Sequence, residues 1–231
     1  MVRTLETILA IASLVVATEM VFGAEAEFVQ ENCASCHALT EPDFEALGIE
    51  ARAERKAPPL YYAGDKYRRD WLVEWLQAPE RIRPAGVYPP AHISSSPDGD
   101  EIDEASLPTH VVLDQSQAER VADYLSSLRP YQERIDSVTY EPGSISWRMG
   151  QMNFVKFNNC IGCHQDEPGY GGVSGPELHT AWDRLRPEFI FSYTKDPVSW
   201  DPHTMMPGGD LNDGAVEKLA NYLKAVSEEA E

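Results

Sequence analysis

The sequence predicts an all-α protein in which two helical units follow one another along the chain. Three observations carry that reading. First, large apolar residues recur in pairs at i, i+1, i+4 and i+5, the spacing of one buried helix face: Trp71-Leu72 and Trp75-Leu76, then Phe189-Ile190 and Tyr193 with Thr194. Second, the two stretches share a register, since Leu60 to Pro79 and Leu178 to Pro197 both span 19 residues. The prolines end each helix. Third, alternating strand patterns are scarce.

Each unit closes with an amphipathic helix. Ala118, Val121, Ala122, Leu125 and Leu128 form the stripe of the first, with Asp114 as N-cap and Gln117 three residues on. Val216, Leu219, Leu223 and Val226 form that of the second, after Asn212. Tyr124-Leu125 and Tyr222-Leu223 occupy matching places. The expected boundaries are 27–135 for the first unit, 136–143 for a linker and 144–231 for the second. The stretch from Tyr131 onward has no periodicity and ends in Pro142-Gly143, a turn signal.

Residues 1–26 read as a secretory signal peptide. Arg3 supplies a weak positive start, Ile8 to Val16 an apolar stretch, and Ala24-Glu25-Ala26 a small-residue cleavage site, with Val21-Phe22-Gly23 as a second option. Glu6 and Glu19 are unusual in such a segment, and an uncleaved short anchor is the competing reading. No apolar run reaches the length of a membrane span, so none is expected in the mature chain. The net charge of -19, from 38 acidic and 19 basic side chains, argues against nucleic-acid binding, because a phosphate backbone would be repelled.

All four cysteines of the chain fall in two copies of one pattern, Cys33-Ala34-Ser35-Cys36-His37 and Cys160-Ile161-Gly162-Cys163-His164. C-x-x-C-H is the attachment site of c-type haem. Two thiols one helical turn apart can bond the two vinyl groups on one edge of a porphyrin, and the next residue then offers an imidazole to the iron. A thioredoxin-like redox pair would need a preceding strand and no histidine. A zinc site would need further ligands for each motif. Two covalently bound haem c groups are therefore expected, with His37 and His164 as proximal ligands, and export agrees with that.

The chain thus resembles a diheme cytochrome c built from two class I cytochrome c domains. The resemblance rests on the C-x-x-C-H pairs, Gly175-Pro176-Glu177-Leu178, Met206-Pro207 and the terminal Tyr-Leu helices. It implies a small helical bundle around each haem and a loop methionine as sixth ligand. In the second unit it favours Met206, directly before proline, over the adjacent Met205. The first unit departs from the pattern, because it contains no methionine. Its candidates are His110, His92 and Tyr88, or an open iron. Tyr88 stands nine residues after Pro79, as Met206 stands nine after Pro197. Counting back from the last helix of the unit favours Leu107-Pro108, with His110 just beyond. Imidazole or phenolate donates more electron density than a thioether, so the first centre is expected at the lower potential.

The resemblance implies a periplasmic electron carrier, moving single electrons between a redox enzyme and a downstream acceptor. Acidity in both units suggests redox partners with basic docking surfaces. The alternative is a haem enzyme, peroxidase-like or acting on small sulfur or nitrogen compounds, with an open or weakly ligated first haem. No catalytic acid–base set is evident for it, so no catalytic residue is assigned. The acidic insertion, Asp98, Asp100, Glu101, Asp103 and Glu104, reads as a solvated loop, with Ca²⁺ binding or partner docking as competing readings. Tyr61, Tyr62, Tyr67, Trp71, Trp75 and Trp182 suit either porphyrin packing or an ordinary core. Arg81, Arg83, Arg184 and Arg186 suit either haem propionates or solvated surface charge.

Overall fold

The structure, a computed structural model, describes residues 23–97, 99–209 and 211–230. Most of the expected leader, residues 1–22, lies outside the described residues, as does Asp98 of the acidic stretch. Helix α1 covers 23–33 and leads into the first C-x-x-C-H turn. It is followed by α2 (Ala63–Lys66), α3 (Arg69–Gln77), α4 (Gln115–Ser127) and α5 (Gln132–Asp136). The second half holds α6 (Trp147–Gln151), continued by a π-helical stretch Met152–Phe157, then α7 (Ala181–Arg184), α8 (Pro187–Lys195), α9 (Pro197–Trp200) and α10 (Asp213–Ala230). Shifting α2 and α3 by 118 positions reproduces the bounds of α7 and α8.

The caps follow the sequence chemistry. Asp114 accepts the Gln117 amide at 2.8 Å, and the Gln117 side chain accepts the Asp114 amide, a reciprocal box that satisfies two end groups of α4. Asn212 Oδ1 accepts from the Ala215 amide at 3.0 Å at the start of α10. Phe28 lies five residues before Cys33, but Phe154 lies six before Cys160. The π stretch absorbs that extra residue: the Asn158 amide reaches the Asn153 carbonyl, i→i+5, at 3.1 Å.

The two halves meet back to back. Tyr67 and Leu185 form an isolated antiparallel bridge. The Arg68 amide donates to the Arg184 carbonyl, and the Arg186 amide donates to the Lys66 carbonyl, both at 3.0 Å. These residues are mutual counterparts in the 118-residue register, so the contact is self-complementary, like a two-fold interface between identical subunits.

One apolar cluster runs across this joint, and a second, smaller one of Phe154, Leu219, Tyr222 and Val226 lies in the second half. The shared cluster holds Val29, Tyr62, Leu72 and Val121 from the first half with Phe189, Trp200, Val216 and Leu223 from the second. Trp200, fully buried, sits edge-on to Phe189 (ring centres 4.8 Å apart) and to Tyr131 (5.3 Å). Halves this small bury little apolar surface alone, and sharing a core offsets that. The expected linker is part of the same packing. Its Tyr140 stacks on Phe191 at 5.4 Å, and α5, which runs into it, buries Ile135.

The acidic insertion forms a hairpin, β1 (Ile93–Ser96) with β2 (Gly99–Ile102). Its carboxylates have local work: Asp100 accepts from Ser95 Oγ at 2.7 Å, Asp103 caps the next turn, and Glu104 pairs with Arg81. A second short hairpin, β3 (Gln165–Glu167) with β4 (Tyr170–Gly171), follows the second motif.

In the second half α6 crosses α10. A Cβ on Gly150 would lie 2.3 Å from Tyr222 Cδ2, so only glycine permits this approach. The Tyr222 hydroxyl donates to Asp166 Oδ2 at 2.8 Å, and Asp166 is fully buried with Oδ1 unpartnered. Burial, reinforced by that bond, pushes the phenol far above the usual tyrosine range. Tyr222→Phe removes the bond to a buried carboxylate. Urea unfolding is expected to show a loss of about 1–3 kcal/mol, and an unchanged midpoint would contradict this role.

Candidate functional site

Each C-x-x-C-H motif is one tight turn. The His37 amide donates to the Cys33 carbonyl at 2.9 Å, and the His164 amide to the Cys160 carbonyl at 3.0 Å. The thiols of each pair are free. Burial pushes the Cys160 thiol up to about 11, and burial, with the neighbouring Cys36, raises that of Cys33. A dithiol redox pair needs the opposite, a lowered thiol.

Both imidazoles are oriented in the same way. His37 Nδ1 lies 2.7 Å from the Pro58 carbonyl, and His164 Nδ1 lies 2.7 Å from the Pro176 carbonyl. A carbonyl only accepts, so Nδ1 carries the proton and Nε2 keeps its lone pair. Burial is the main cause lowering the pKa of both rings, which keeps them neutral. Pro58 and Pro176 are counterparts in the 118-residue register.

The segment after the second motif builds the support residue by residue. The Gly175 amide donates to the Cys163 carbonyl at 2.7 Å, and the glycine lies flat under the His164 ring. Pro176 holds Nδ1. Glu177, buried, accepts from Thr180 Oγ1 and pairs with Arg184, whose Nη2 donates to the Glu177 carbonyl. The Leu178 amide closes the turn on the Gln165 carbonyl at 2.7 Å.

Facing His37 is His110. The ring centres are 6.1 Å apart with planes at 74°. His110 Nδ1 is tied to the Val111 carbonyl at 2.8 Å, and Trp75 packs against the ring at 4.6 Å. The other two candidates lie elsewhere. His92 bonds Ser106 Oγ at 2.7 Å beside the acidic hairpin. Tyr88 precedes the short helix Pro89–Ala91. Among the described residues, neither has a ring contact with His37.

Met206 lies half-buried on the loop before α10, while Met205 is 44% exposed. The Met206 amide donates to Thr204 Oγ1 at 3.2 Å, and that hydroxyl also bonds the Tyr193 hydroxyl at 2.9 Å. Tyr193 is the register counterpart of Trp75. The same helix position thus buttresses His110 in one half and the methionine loop in the other.

Lysine and arginine charges lie close enough to both histidines to act on them. Lys66 acts on His37, and Arg83 and Arg184 act on His164. Arg184 is only 3% exposed, so for this residue the reading as solvated charge does not hold. Arg81 fits that reading, paired with Glu104 at the surface. One buried and two half-buried cations near neutral imidazoles, with two free thiols in each motif, fit a covalently held haem with its propionates.

Residues 146–223 match a family model described as cytochrome c oxidase, cbb3-type, subunit III. The match supports a cytochrome c domain in this stretch. A cytochrome c domain carries covalently bound haem c and serves electron transfer. No curated protein and no solved structure matches the chain. Among the described residues no helix is long and apolar enough to cross a membrane.

Several supporting residues escaped the sequence reading. Pro58 was detectable, since the register that aligns Leu60 with Leu178 also aligns it with Pro176 of the Gly175-Pro176-Glu177-Leu178 stretch. Arg55, Asp201 and Thr204 carry no motif, and only the docking of the halves brings them into play.

Proposed function

We propose that the protein is an exported diheme c-type cytochrome that passes single electrons between a periplasmic redox enzyme and a downstream acceptor. Cys33 and Cys36 hold one haem, and Cys160 and Cys163 hold the other. His37 with His110, and His164 with Met206, are the axial pairs. The observation that carries the reading for the first half is the placement of His110. An imidazole nitrogen binds a first-row metal at about 2 Å and lies about 1 Å from its own ring centre. Two imidazoles on opposite sides of one iron therefore put their ring centres about 6 Å apart. The His37 and His110 rings stand at 6.1 Å, each with Nδ1 occupied and Nε2 free.

Bound haem iron supplies a one-electron ferric–ferrous couple. The chain's own residues keep that couple cheap to cycle. Pro58 and Pro176 fix the proximal rings, Trp75 and Tyr193 brace the distal groups, and a filled coordination shell changes little between oxidation states. The two imidazoles donate more electron density than imidazole with thioether, so they hold the first centre at the lower potential. Occupation by His110 also argues against the alternative of an enzyme working at an open first iron.

Intact-mass analysis of the secreted protein is expected to show two attached haems. Redox titration is expected to resolve two potentials, separated by on the order of 100 mV. One haem per chain, or a high-spin ferric centre with peroxide turnover, would overturn the carrier reading.

A further inference from the structure

In each half, the segment that orients the proximal histidine also grips the loop of the opposite half that follows α3 or α8. The second half does so through its backbone. Next to Pro176, the Glu177 amide donates to the Ile82 carbonyl at 2.8 Å, and the Ala85 amide donates to the Val173 carbonyl at 3.3 Å. The first half does so through charge. Three residues before Pro58, Arg55 Nη1 and Nη2 reach Asp201 Oδ2 and Oδ1 at 2.5 and 2.9 Å. Arg52 Nη2 donates to the Thr204 carbonyl at 2.9 Å, and Phe44 sits edge-on to His203 at 5.2 Å. In the 118-residue register, Arg55 corresponds to Val173 and Asp201 to Arg83.

Asp201 is the root of the methionine loop. Its Oδ1 accepts from the His203 amide and its carbonyl accepts from the Thr204 amide, both at 2.9 Å. Thr204 in turn holds the Met206 amide. The carboxylate is 6% exposed, and a two-toothed guanidinium satisfies it as a single point charge would not. Without that partner a buried carboxylate is left uncompensated, and the loop must open to hydrate it.

We propose that Arg55, in the first half, is a positioning residue for the methionine loop of the second half: by gripping Asp201 it holds residues 201–206 in the shape that presents Met206. The inference rests on the reading of Met206 as a ligand. It makes thioether ligation at the second centre depend on the docking of the first half.

The test uses the holoprotein and its Arg55→Met, Arg55→Lys and Asp201→Asn variants. Three quantities are read: the methionine–iron absorption band, imidazole affinity at the second centre, and hydrogen exchange at the 203, 204 and 206 amides. In Arg55→Met the band is expected to weaken, and imidazole to bind about tenfold tighter or more, because the competing loop is less often closed. Exchange is expected to quicken by a similar factor, with the spectrum of the first centre unchanged. Arg55→Lys falls between, keeping the charge but not the fork. Wild-type imidazole affinity and exchange in Arg55→Met overturn the proposal. Should Arg55→Met not accumulate, the same readouts on Asp201→Asn decide, because asparagine keeps the acceptor for His203 and loses the charge. A wild-type protein without a methionine–iron band overturns the Met206 reading instead, and the exchange arm then decides the clamp alone.

Discussion

His110→Ala is expected to turn one of the two ferric centres from low-spin to high-spin and to leave the other as it was. His110 owes its position to three local features. Its Nδ1 is tied to the next carbonyl, Trp75 packs on its ring, and the chain then returns to the core at Leu113, whose amide donates to the Leu76 carbonyl at 2.9 Å. Removing the imidazole leaves no described histidine ring within contact of His37, so the variant gains a site for small exogenous ligands. His110→Met should raise the potential of the same centre by on the order of 100 mV, because a thioether favours ferrous iron. Electron paramagnetic resonance of the ferric protein and a redox titration check both statements. Unchanged spectra in His110→Ala would hand the role to His92 or Tyr88.

Gly175→Ala is expected to push directly on the His164 ring of the second half. The added Cβ would stand 2.6 Å from both Cε1 and Nδ1 of His164 and 2.9 Å from the Cys163 carbonyl. The ring has no room to yield, since Nδ1 is already fixed on Pro176. Overpacking of this kind costs about 1–3 kcal/mol, and a misdirected ligand loses about 10–100-fold in metal affinity. The expected outcome is a lower melting temperature and less than two haems per chain, measured by haem quantification against protein mass. Gly209→Ala is the control, because its methyl meets only Leu211, at 3.4 Å and beyond. Full haem content and an unshifted melting temperature in Gly175→Ala would refute the argument.

Much of this architecture could be read before any coordinates. The helix stripes, the Asp114 box and the Asn212 cap depend on residues within one or two turns of each other, and local chemistry states them directly. The C-x-x-C-H turns are equally local. The limits came where residues far apart in sequence had to meet. Choosing among His110, His92 and Tyr88 required knowing which way a 20-residue excess of chain folds. Counting from Pro79 and counting back from α4 gave different answers, and the hairpin of β1 and β2 absorbs the difference. The cluster shared across the joint was equally out of reach, because Tyr62, Tyr131, Phe189 and Trp200 find each other only once the halves are docked. Arg184 suited either a propionate or plain surface charge until its side chain proved buried against Glu177.

That joint is fastened in large part by main-chain groups, with the Arg68 side chain adding bonds to the Trp182 and Leu185 carbonyls. The hydrogen bonds at Lys66, Arg68, Arg184 and Arg186 use amides and carbonyls, which every replacement other than proline preserves. Around it the counterpart side chains are partly alike and partly different: arginine stands at both 68 and 186, Tyr67 matches Leu185, and Lys66 matches Arg184. Two halves fastened in this way can carry different side chains at matching positions, as Trp75 and Tyr193 do, without losing the embrace that keeps them together.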